Sequence, residues 1–306
     1  MTLLLALLYD LWWGDPPNRL HPVAWMGQGI ALARRLAPHG GRALPCLYGA
    51  LLVLGGALLA AGLGTLLVEA LRALPRPVAW CIEAWVLKTT FALRGLALAA
   101  QQVQEALTSG DVVRARQLVA WHLVSRDTTH LTPSQVAAAT VESVAENASD
   151  SLIAPLMYYT LGGLPAALAY RFINTADAML GYRDAEREWL GKVPARLDDL
   201  ANLLPARLTA LFLLLATRLL GGPAWRVWWI WRRDASQTAS PNAGRPMSAM
   251  AGALGIELEK VGHYCLGAGQ ALPGAQDITS ALRLVYGVAL LAVLLSVLVE
   301  SVRLLW

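Results

Sequence analysis

Residues 44–68 read LPCLYGALLVLGGALLAAGLGTLLV, a stretch of 25 residues without a charged side chain. An α-helix of that length measures about 37 Å, enough to cross the roughly 30 Å hydrocarbon core of a bilayer. The rest of the chain has the same character, since 56% of its 306 residues are hydrophobic and only 15% are charged. Soluble domains are about 25% charged. The composition argues against an ordinary cytosolic enzyme, a disordered chain or a fibre, and predicts an integral membrane protein.

The net charge of +4 does not indicate a nucleic-acid partner. Basic residues flank apolar segments, as at Arg34-Arg35 and Arg232-Arg233, which is typical of cytoplasmic loops. No basic stripe with interleaved aromatic residues occurs, so binding to nucleic acid is not expected. The three cysteines are far apart and form no CxxC pair, which argues against a disulfide framework or a zinc site.

Other apolar segments predict further contacts with the membrane. Residues 2–13 are too short to cross it and fit an interfacial or partly inserted helix. Residues 79–100 are predicted as a weaker span because they carry Glu83, Lys88 and Arg94, and such charges face a bundle interior or a cavity. Residues 284–299 are predicted as the last span.

Two further apolar segments are interrupted by glycine and proline, 151–170 at Gly162-Gly163 and 205–231 at Gly221-Gly222-Pro223. Straight spans would place the flanking polar loops on opposite sides of the membrane, whereas re-entrant hairpins return them to one side. We favour hairpins, because the polar residues then share one compartment. The predicted fold is all-α and polytopic, with about 3 to 5 membrane helices. It forms a single membrane domain, 1–306, whose polar loops 101–150, 171–204 and 232–283 carry the chemistry on one face.

The most informative polar motif is VESVAENASD, residues 141–150. On a helix, Glu142, Glu146 and Asp150 fall at i, i+4 and i+8, so three carboxylates would line one face and repel one another. A divalent cation, an arginine partner or a raised pKa would offset that repulsion, and Mg²⁺ suits such oxygen ligands. The alternative is a solvated acidic face.

Several other polar residues are candidates for binding. Asp198 and Asp199, with Arg196 and Arg207 nearby, could hold a metal and a phosphate, or could cap a helix N-terminus. The Ser240–Gly244 segment is predicted to be a turn that exposes backbone N–H groups. His21 is either a catalytic base or a structural side chain. Asn174, Asp177 and the cluster Arg126-Asp127-Thr128 supply more polar groups.

Taken together, nine short segments occur in an order that resembles the CobD/CbiB family of cobalamin-biosynthesis membrane proteins. The resemblance covers about residues 5 to 290 and rests on Gly14-Asp15-Pro16, His21-Pro22-Val23, Arg126-Asp127-Thr128, residues 142–147, Ala154-Pro155-Leu156, Asn174-Thr175 with Asp177 and Gly181-Tyr182, residues 195–199, Pro205-Ala206-Arg207-Leu208, and Ser240-Pro241-Asn242 with residues 251–255.

The resemblance implies an adenosylcobinamide-phosphate synthase, an ATP- and Mg²⁺-dependent ligase of the bacterial inner membrane. Such an enzyme joins adenosylcobyric acid, a corrinoid, to aminopropanol phosphate or aminopropanol. The expected partners are the lipid bilayer, other late cobalamin-pathway enzymes and further copies of the chain. The expected catalytic residues are Glu142, Glu146, Asp198 and His21. The expected metal ligands are Glu142, Glu146, Asp150, Asp198 and Asp199. The expected substrate- and phosphate-binding residues are Arg126, Asp127, Thr128, Asn147, Asn174, Asp177, Arg196, Arg207, Ser240 and Asn242.

The sequence departs from the family pattern within residues 232–270. Thr238 stands where the family carries a histidine, residues 245–248 replace a segment with a glutamate, and residues 259–262 replace a Gly-Gly-Pro-Asn segment. Two other functions compete with the ligase. One is a catalytically silent, AmpE-like signalling relative, against which both retained acidic motifs argue. The other is a small-solute or corrinoid transporter, which the broken helices suggest and the lack of an inverted repeat disfavours.

Overall fold

A computed structural model describes residues 1–38, 40–182, 184 and 187–305, with Leu304 and Leu305 described by their backbone alone. The predicted loop 171–204 includes Arg183, Ala185 and Glu186, which lie outside the described residues. In chain order, the helices are α1 (Thr2–Trp13), α2 (Pro22–Arg35), α3 (Ala43–Leu71), α4 (Arg76–Lys88), α5 (Leu93–Thr108), α6 (Val112–His122), α7 (Pro133–Ala148), α8 (Ala154–Leu180), α9 (Lys192–Ala201), α10 (Leu203–Leu219), α11 (Ala224–Asp234), α12 (Gly244–Leu254) and α13 (Ala275–Leu305).

The predicted all-α membrane fold is confirmed. By length and composition, three helical stretches are candidates to cross a membrane, Ala43–Leu71, Pro133–Leu180 and Ala275–Arg303, and Lys192–Ala201 together with Leu203–Leu219 is a fourth candidate. Two short strands, β1 (Leu258–Lys260) and β2 (Tyr264–Leu266), form an antiparallel hairpin.

The chain divides into two compact units. The first contains Met1–Ala92, Ala154–Asn202 and Ser296–Trp306, and the second contains Leu93–Ile153 and Leu203–Leu295. The single membrane domain and the common face of its polar loops stay predictions.

In the first unit, helix α3 packs against α8 through small residues. A Cβ at Gly56 would lie 2.0 Å from the Phe172 ring, and one at Gly64 would lie 3.0 Å from the Pro165 Cα. The opposite side of α3 is covered with exposed leucines, of which Leu58 is 74% exposed. Close helix packing on small residues with an outward leucine surface is typical of a membrane helix, which confirms the prediction for residues 44–68.

The predicted span 79–100 is wrong, because α4 ends at Lys88 and α5 begins at Leu93. The hydroxyls of Thr89 and Thr90 both donate to main-chain carbonyls three residues earlier, at 2.7 Å, in the last turn of α4. Lys88 itself is 2% exposed and pairs with two aspartates. Lys88, one of the charges that made this segment a weak candidate for a span, is the last residue of α4. Its side chain lies in an ion cluster with Asp10 and Asp15.

At Gly162-Gly163 the chain reverses direction, which confirms the predicted hairpin. Both glycines leave helical geometry, and Gly163 has φ 67° and ψ −165°. The rings of Tyr158 and Tyr170 stack with centroids 4.9 Å apart. An uninterrupted helix would separate these residues by about 18 Å along its axis. The two halves of α8 therefore lie side by side.

Gly163→Ala should destabilise this hairpin. The φ/ψ combination at Gly163 is open only to glycine and costs other residues about 1–3 kcal/mol, while an added Cβ would meet only the Pro165 ring, at 3.6 Å. The expected result is a lower midpoint of thermal unfolding in detergent. Gly62→Ala is the matched control, because Gly62 is helical and a Cβ there meets nothing within 4 Å. An unchanged midpoint in Gly163→Ala would contradict a backbone role for this residue.

In the second unit, the break at 220–223 also separates two helices, α10 and α11, which pack on each other and on α12. The predicted interruption at Gly221-Gly222-Pro223 is confirmed. The β1–β2 hairpin contacts both α7 and α12. This places the atypical segment 232–270 beside the helix that carries Glu142 and Glu146.

Candidate functional site

Helix α7 begins with a reciprocal cap. The Thr132 hydroxyl accepts from the Gln135 N–H at 3.3 Å, and the Gln135 side chain accepts from the Thr132 N–H at 2.9 Å. The helix is rich in alanine and valine and is almost wholly buried, so Glu142 is only 5% exposed. Glu146, one turn later, is exposed. The alternative of a solvated acidic face is therefore wrong for Glu142.

Asp150 does not continue that face as predicted. The α-helix ends at Ala148, and residues Ser149–Ile153 form a π-helical turn. A π turn changes the angular spacing of the side chains that follow it. The regular i, i+4, i+8 arrangement thus holds for Glu142 and Glu146 only.

Arg126 is the partner that offsets the charge of Glu142. Its Nη2 lies 3.1 Å from Glu142 Oε2. Two neighbours shape the Arg126 loop, since the Thr128 hydroxyl donates to the Arg116 carbonyl at 2.9 Å and Asp127 accepts from the Thr129 N–H at 2.9 Å. The predicted arginine partner for the acidic residues of α7 is therefore confirmed for Glu142.

Two polar atoms of this ion pair form no hydrogen bond with the described residues. Glu142 Oε1 and Arg126 Nε are buried, and neither has a hydrogen-bond partner among the described residues. A buried polar atom without a partner costs free energy unless a ligand or water satisfies it. The pair is therefore incomplete as a structural salt bridge and suits a binding site.

Within the second unit, one cavity is lined by this pair and a second cavity adjoins the first. The carboxylate cavity, of about 160 Å³, is lined by Arg126, Glu142, Ser143, Glu146, Lys260 and Tyr264. The turn cavity, of about 400 Å³, shares Glu146, Lys260 and Tyr264 and adds Thr238, Ser240 and His263. The two cavities have these three lining residues in common, and together they are called the groove.

The β-hairpin supplies Lys260 and Tyr264. These residues are directly opposite in the antiparallel register, so their side chains project from the same face. The pKa of the Tyr264 phenol is raised by burial and then by the charges of Glu142 and Glu146. The phenol therefore stays protonated in the neutral range and keeps its hydrogen as a donor.

The Ser240–Gly244 turn does not expose its N–H groups as predicted. The Ser240 hydroxyl accepts from the N–H groups of Asn242 and Ala243 at 3.2 and 3.4 Å. Thr238, one of the three departures from the family pattern, accepts from the Gly244 N–H at 3.0 Å. Side-chain oxygens thus accept from the N–H groups of Asn242, Ala243 and Gly244, and Asn242 is buried.

The remaining candidates of the second unit occupy local contacts. Asn147 donates to the Ser143 carbonyl at 2.9 Å and accepts from the Ser151 hydroxyl at 3.1 Å. Arg207 donates to the Leu203 carbonyl at 2.5 Å. The pKa of the half-buried Arg245 is lowered by burial and by the neighbouring Arg207, so two cations lie close together there.

In the first unit, Asp198 is held by two amides. Its oxygens accept from Asn174 at 3.2 Å and from Asn202 at 3.0 Å, and the Tyr170 hydroxyl donates to Asn202 at 2.9 Å. Asp198 lies in the last turn of α9, so the alternative of N-terminal capping by the Asp pair is wrong. The carboxylate is 9% exposed.

Other candidates surround Asp198 in sequence. Asp199 is its half-buried neighbour, Arg196 is exposed on α9, and Asp177 lies three residues after Asn174 on α8. The structure thus brings Asn174 and Asp198 into contact and leaves the roles of Asp177, Arg196 and Asp199 as predictions. Within either unit, the described residues include no group of three or more His, Cys, Asp or Glu side chains gathered for a metal ion.

His21 belongs to a partly buried ion cluster of the first unit. Lys88 Nζ lies 3.2 Å from Asp10 and contacts Asp15, while His21 Nε2 lies 3.6 Å from Asp15. The Asp15 carboxyl is part-buried, which by itself raises its pKa, but His21 and Lys88 outweigh burial and lower the pKa to about 2. His21 Nδ1 is buried, and no described atom hydrogen-bonds to it.

This cluster predicts an acid-sensitive contribution to stability. Because the pKa of Asp15 in the folded chain lies below its ordinary value of 3.8, the stabilisation is present above about pH 4 and disappears as the pH falls towards 2. Asp15 is partly exposed, so its contribution is about 1 kcal/mol. Thermal unfolding of Asp15→Asn should differ from wild type at pH 6 and converge with it near pH 2. A gap that stays constant over this range contradicts the assignment.

Lys260, Tyr264 and Asn202 are residues of the candidate sites that were not predicted from the sequence. The first two lie opposite each other across Gly262 (φ 76°), in the segment that departs from the family pattern. The one available signal was the pair of short alternating stretches on either side of a glycine, which is typical of a hairpin. Asn202 closes the acidic motif and could have been selected as its last polar residue.

Comparison with known proteins identifies the family. Residues 3–285 match the CobD/Cbib protein family. The chain belongs to the CobD/CbiB family. Cobalamin biosynthesis protein CobD of Dehalococcoides mccartyi is 42% identical over 270 residues, 87% of this chain and 86% of the relative. CobD of Klebsiella pneumoniae is 42% identical over 268 residues (84% and 82%), and CbiB of Salmonella typhimurium is 38% identical over 310 residues (96% of each). No solved structure matches this CobD/CbiB protein.

Proposed function

We propose that this CobD/CbiB protein is a membrane-bound ligase of cobalamin biosynthesis, located in the bacterial inner membrane. It joins the free carboxylate of adenosylcobyric acid to aminopropanol phosphate or aminopropanol through an amide bond, with ATP as co-substrate. The observation that carries this proposal is the incomplete Arg126–Glu142 pair, with its two unsatisfied buried atoms, in a groove that also contains Glu146 and Lys260. Family membership supports the pathway.

The groove fits the chemistry of Mg²⁺ and a triphosphate. Mg²⁺ is bound in proteins by one or two carboxylates together with phosphate oxygens and water. Glu142 offers a buried oxygen without a protein partner, and Glu146 lies one turn away on the same helix. These two residues would hold the cation. When bound, ATP and Mg²⁺ supply the phosphoryl group that makes a carboxylate oxygen a leaving group, and the charge that stabilises its transfer.

The protein side chains orient the reactants and move one proton. Arg126 fixes Glu142 through Nη2, which keeps the carboxylate aimed into the cavity. Lys260 faces both glutamates and supplies a point charge for phosphate oxygens. The protonated Tyr264 phenol lines the same cavity and offers a hydrogen-bond donor there. The attacking amine must be neutral, and the exposed Glu146 carboxylate is a suitable acceptor for its proton.

The Asp198 network is proposed as a separate ligand-binding site within the first unit. Asn174 and Asn202 orient a carboxylate that is almost fully buried. Ionised groups are rarely buried in this way unless they bind a partner or a ligand. Metal binding by Asp198, Asp199 and Asp150 stays a prediction, as do a homo-oligomer and association with other late enzymes of the pathway.

The experiment is an assay of the purified protein in lipid nanodiscs with adenosylcobyric acid, ATP, Mg²⁺ and each amine, analysed by mass spectrometry. We expect an amide product that requires all four components and disappears when Mg²⁺ is chelated. If no amide forms with either amine, the ligase is excluded, and a silent relative or a transporter becomes the better description.

A further inference from the structure

Helix α11 of the second unit has two contrasting faces. Its inner face consists of Val227, Ile230 and Asp234, which are all 0% exposed. Its outer face carries three tryptophans followed by two arginines, at the i, i+3, i+4, i+7 and i+8 spacing of one helix stripe: Trp225, Trp228, Trp229, Arg232 and Arg233. This stripe is the tryptophan face. Trp225 is 72% exposed, and the other two tryptophans are 50% and 52% exposed. Large apolar side chains grouped on a surface mark an interaction site.

The inner face of α11 is fixed to the rest of the second unit. Arg226 donates from two nitrogens to main-chain carbonyls of α12, at 2.7 and 3.1 Å. At the other end of α11, the Asp234 carboxylate accepts from the Gly267 N–H at 2.7 Å. A Cβ at Gly252 would lie 2.7 Å from the Val227 Cα, so α11 and α12 pack closely. These contacts fix the rotation of α11 about its axis and direct the tryptophans outward.

The tryptophan face follows a surface that suits lipid. Helix α10 carries exposed leucines along one side, and the last of them, Leu219, is 75% exposed just before α11 begins. A Cβ at Gly287 of α13 would lie 3.2 Å from the Ala216 Cβ of α10. Gly287 lies one turn after Arg283, the last charge before the uncharged segment 284–299. The end of α10 therefore lies at the edge of the apolar part of a candidate span.

The length and charge of α11 favour a position along this edge. Its 11 residues measure about 16 Å, roughly half the thickness of the hydrocarbon core. Arg232 and Arg233 are exposed at its end, and exposed charges are costly in hydrocarbon. Tryptophan prefers the boundary between lipid and water, because its ring is apolar while its N–H reaches polar groups. These properties are typical of an interfacial helix rather than a span.

The charge on the outer face of α11 is entirely positive. The Arg232 guanidinium lies 5.5 Å from the centroid of the Trp228 ring, and the Arg233 guanidinium lies 4.5 Å from that of Trp229. Asp234, the only acidic residue of α11, is fully buried and pairs with Arg233 at 2.6 Å. Guanidinium groups form charge-assisted hydrogen bonds with phosphate. A lipid surface with negatively charged phosphate headgroups is therefore complementary to this face.

We propose that α11 is an interfacial helix that binds anionic phospholipids. The three tryptophan rings insert between the headgroups and the acyl chains, and the Arg232 guanidinium pairs with a lipid phosphate. The occupant is the bilayer surface, because the exposed leucines of α10 lead directly to the tryptophan face and its outward charges are both positive. This lipid site lies outside both cavities of the groove and does not depend on the ligase reaction.

The first test locates the tryptophans in the full-length protein, labelled with 5-fluorotryptophan, in nanodiscs of phosphatidylcholine and phosphatidylglycerol. The ¹⁹F signals are assigned with single tryptophan-to-phenylalanine variants. A nitroxide at the lipid headgroup should broaden the signals of Trp225, Trp228 and Trp229 more than a gadolinium chelate in water does. Trp121 is the control, because it is 83% exposed on the polar helix α6, and it should show the reverse. Broadening of the α11 signals mainly by the chelate overturns the inference. Protection from both reagents indicates a protein partner and also overturns it.

The second test compares the affinities of phosphatidylglycerol and phosphatidylcholine for the full-length protein in detergent, by native mass spectrometry. Arg232→Gln should weaken phosphatidylglycerol binding about fivefold and leave phosphatidylcholine binding unchanged, because one arginine near the surface contributes about that factor. Arg114→Gln is the matched control, since Arg114 is an exposed arginine of α6 in the same unit, and it should bind both lipids like wild type. Wild-type affinity for phosphatidylglycerol in Arg232→Gln overturns the inference. Displacement of the lipid by millimolar inorganic phosphate would identify a site for free phosphate and overturn it as well.

Discussion

We expect Glu146→Gln to lower the rate of amide formation at least about a hundredfold while the protein stays folded. Glu146 borders both cavities and is exposed, so the amide side chain fits without a buried vacancy. The change removes one of the two carboxylates proposed to hold Mg²⁺. Glu146 is also the residue proposed to accept the proton of the amine. Losing a group that stabilises developing charge costs about 10²–10³ in kcat. The measurement is single-turnover formation of the amide, with helix content checked by circular dichroism.

Glu105→Gln is the matched control for this variant. Glu105 is an exposed glutamate on α5, in the same unit and outside both cavities. Both substitutions remove one negative charge, so a general electrostatic effect would lower the rate of amide formation equally in the two variants. The proposed site requires wild-type turnover in Glu105→Gln. Comparable activity in the two variants would place the chemistry elsewhere.

Lys88→Met should destabilise the protein by about 3–5 kcal/mol. Lys88 is 2% exposed and neutralises Asp10, which is 1% exposed, as well as the part-buried Asp15. Removing one partner of a buried ion pair leaves the other charge buried without compensation. This destabilises a protein by more than the intact pair stabilises it. The expected result is a fall of roughly 10 °C in the midpoint of thermal unfolding in detergent.

Two further variants distinguish the ion pair from a loss of packing. Lys192→Met removes a lysine that is 46% exposed and lies 3.8 Å from Glu188, so it should cost less than about 1 kcal/mol. The double variant Asp10→Asn, Lys88→Met removes both charges and should recover much of the lost stability. A double variant as unstable as Lys88→Met alone would show that the cost comes from packing.

The apolar architecture could be predicted from sequence because it follows from length and hydropathy. Residues 44–68 and 284–299 are long uncharged segments, and each lies in a single long helix. The Gly162-Gly163 reversal was also predictable, since only glycine adopts the backbone angles found at Gly163. Lys88 made residues 79–100 ambiguous, because hydropathy does not reveal that two aspartates more than 70 residues earlier would pair with it.

The candidate site was predictable in part. The spacing of Glu142 and Glu146 indicated a shared helix face, and their repulsion called for a partner, which Arg126 provides. The position of Asp150 was missed because a π-helical turn has no clear sequence signature. Lys260 and Tyr264 were missed because they reach the groove through the register of a two-stranded hairpin, a contact that no helical periodicity encodes.

The central claim is that the chain activates a corrinoid carboxylate with ATP and couples it to an amine. Its most direct test uses adenosylcobyric acid labelled with ¹⁸O in the free carboxylate, together with ATP, Mg²⁺ and aminopropanol phosphate. The account predicts one amide for each phosphate released, with one ¹⁸O atom of the carboxylate recovered in that phosphate. Absence of the amide, or an amide whose formation leaves the phosphate unlabelled, would contradict it.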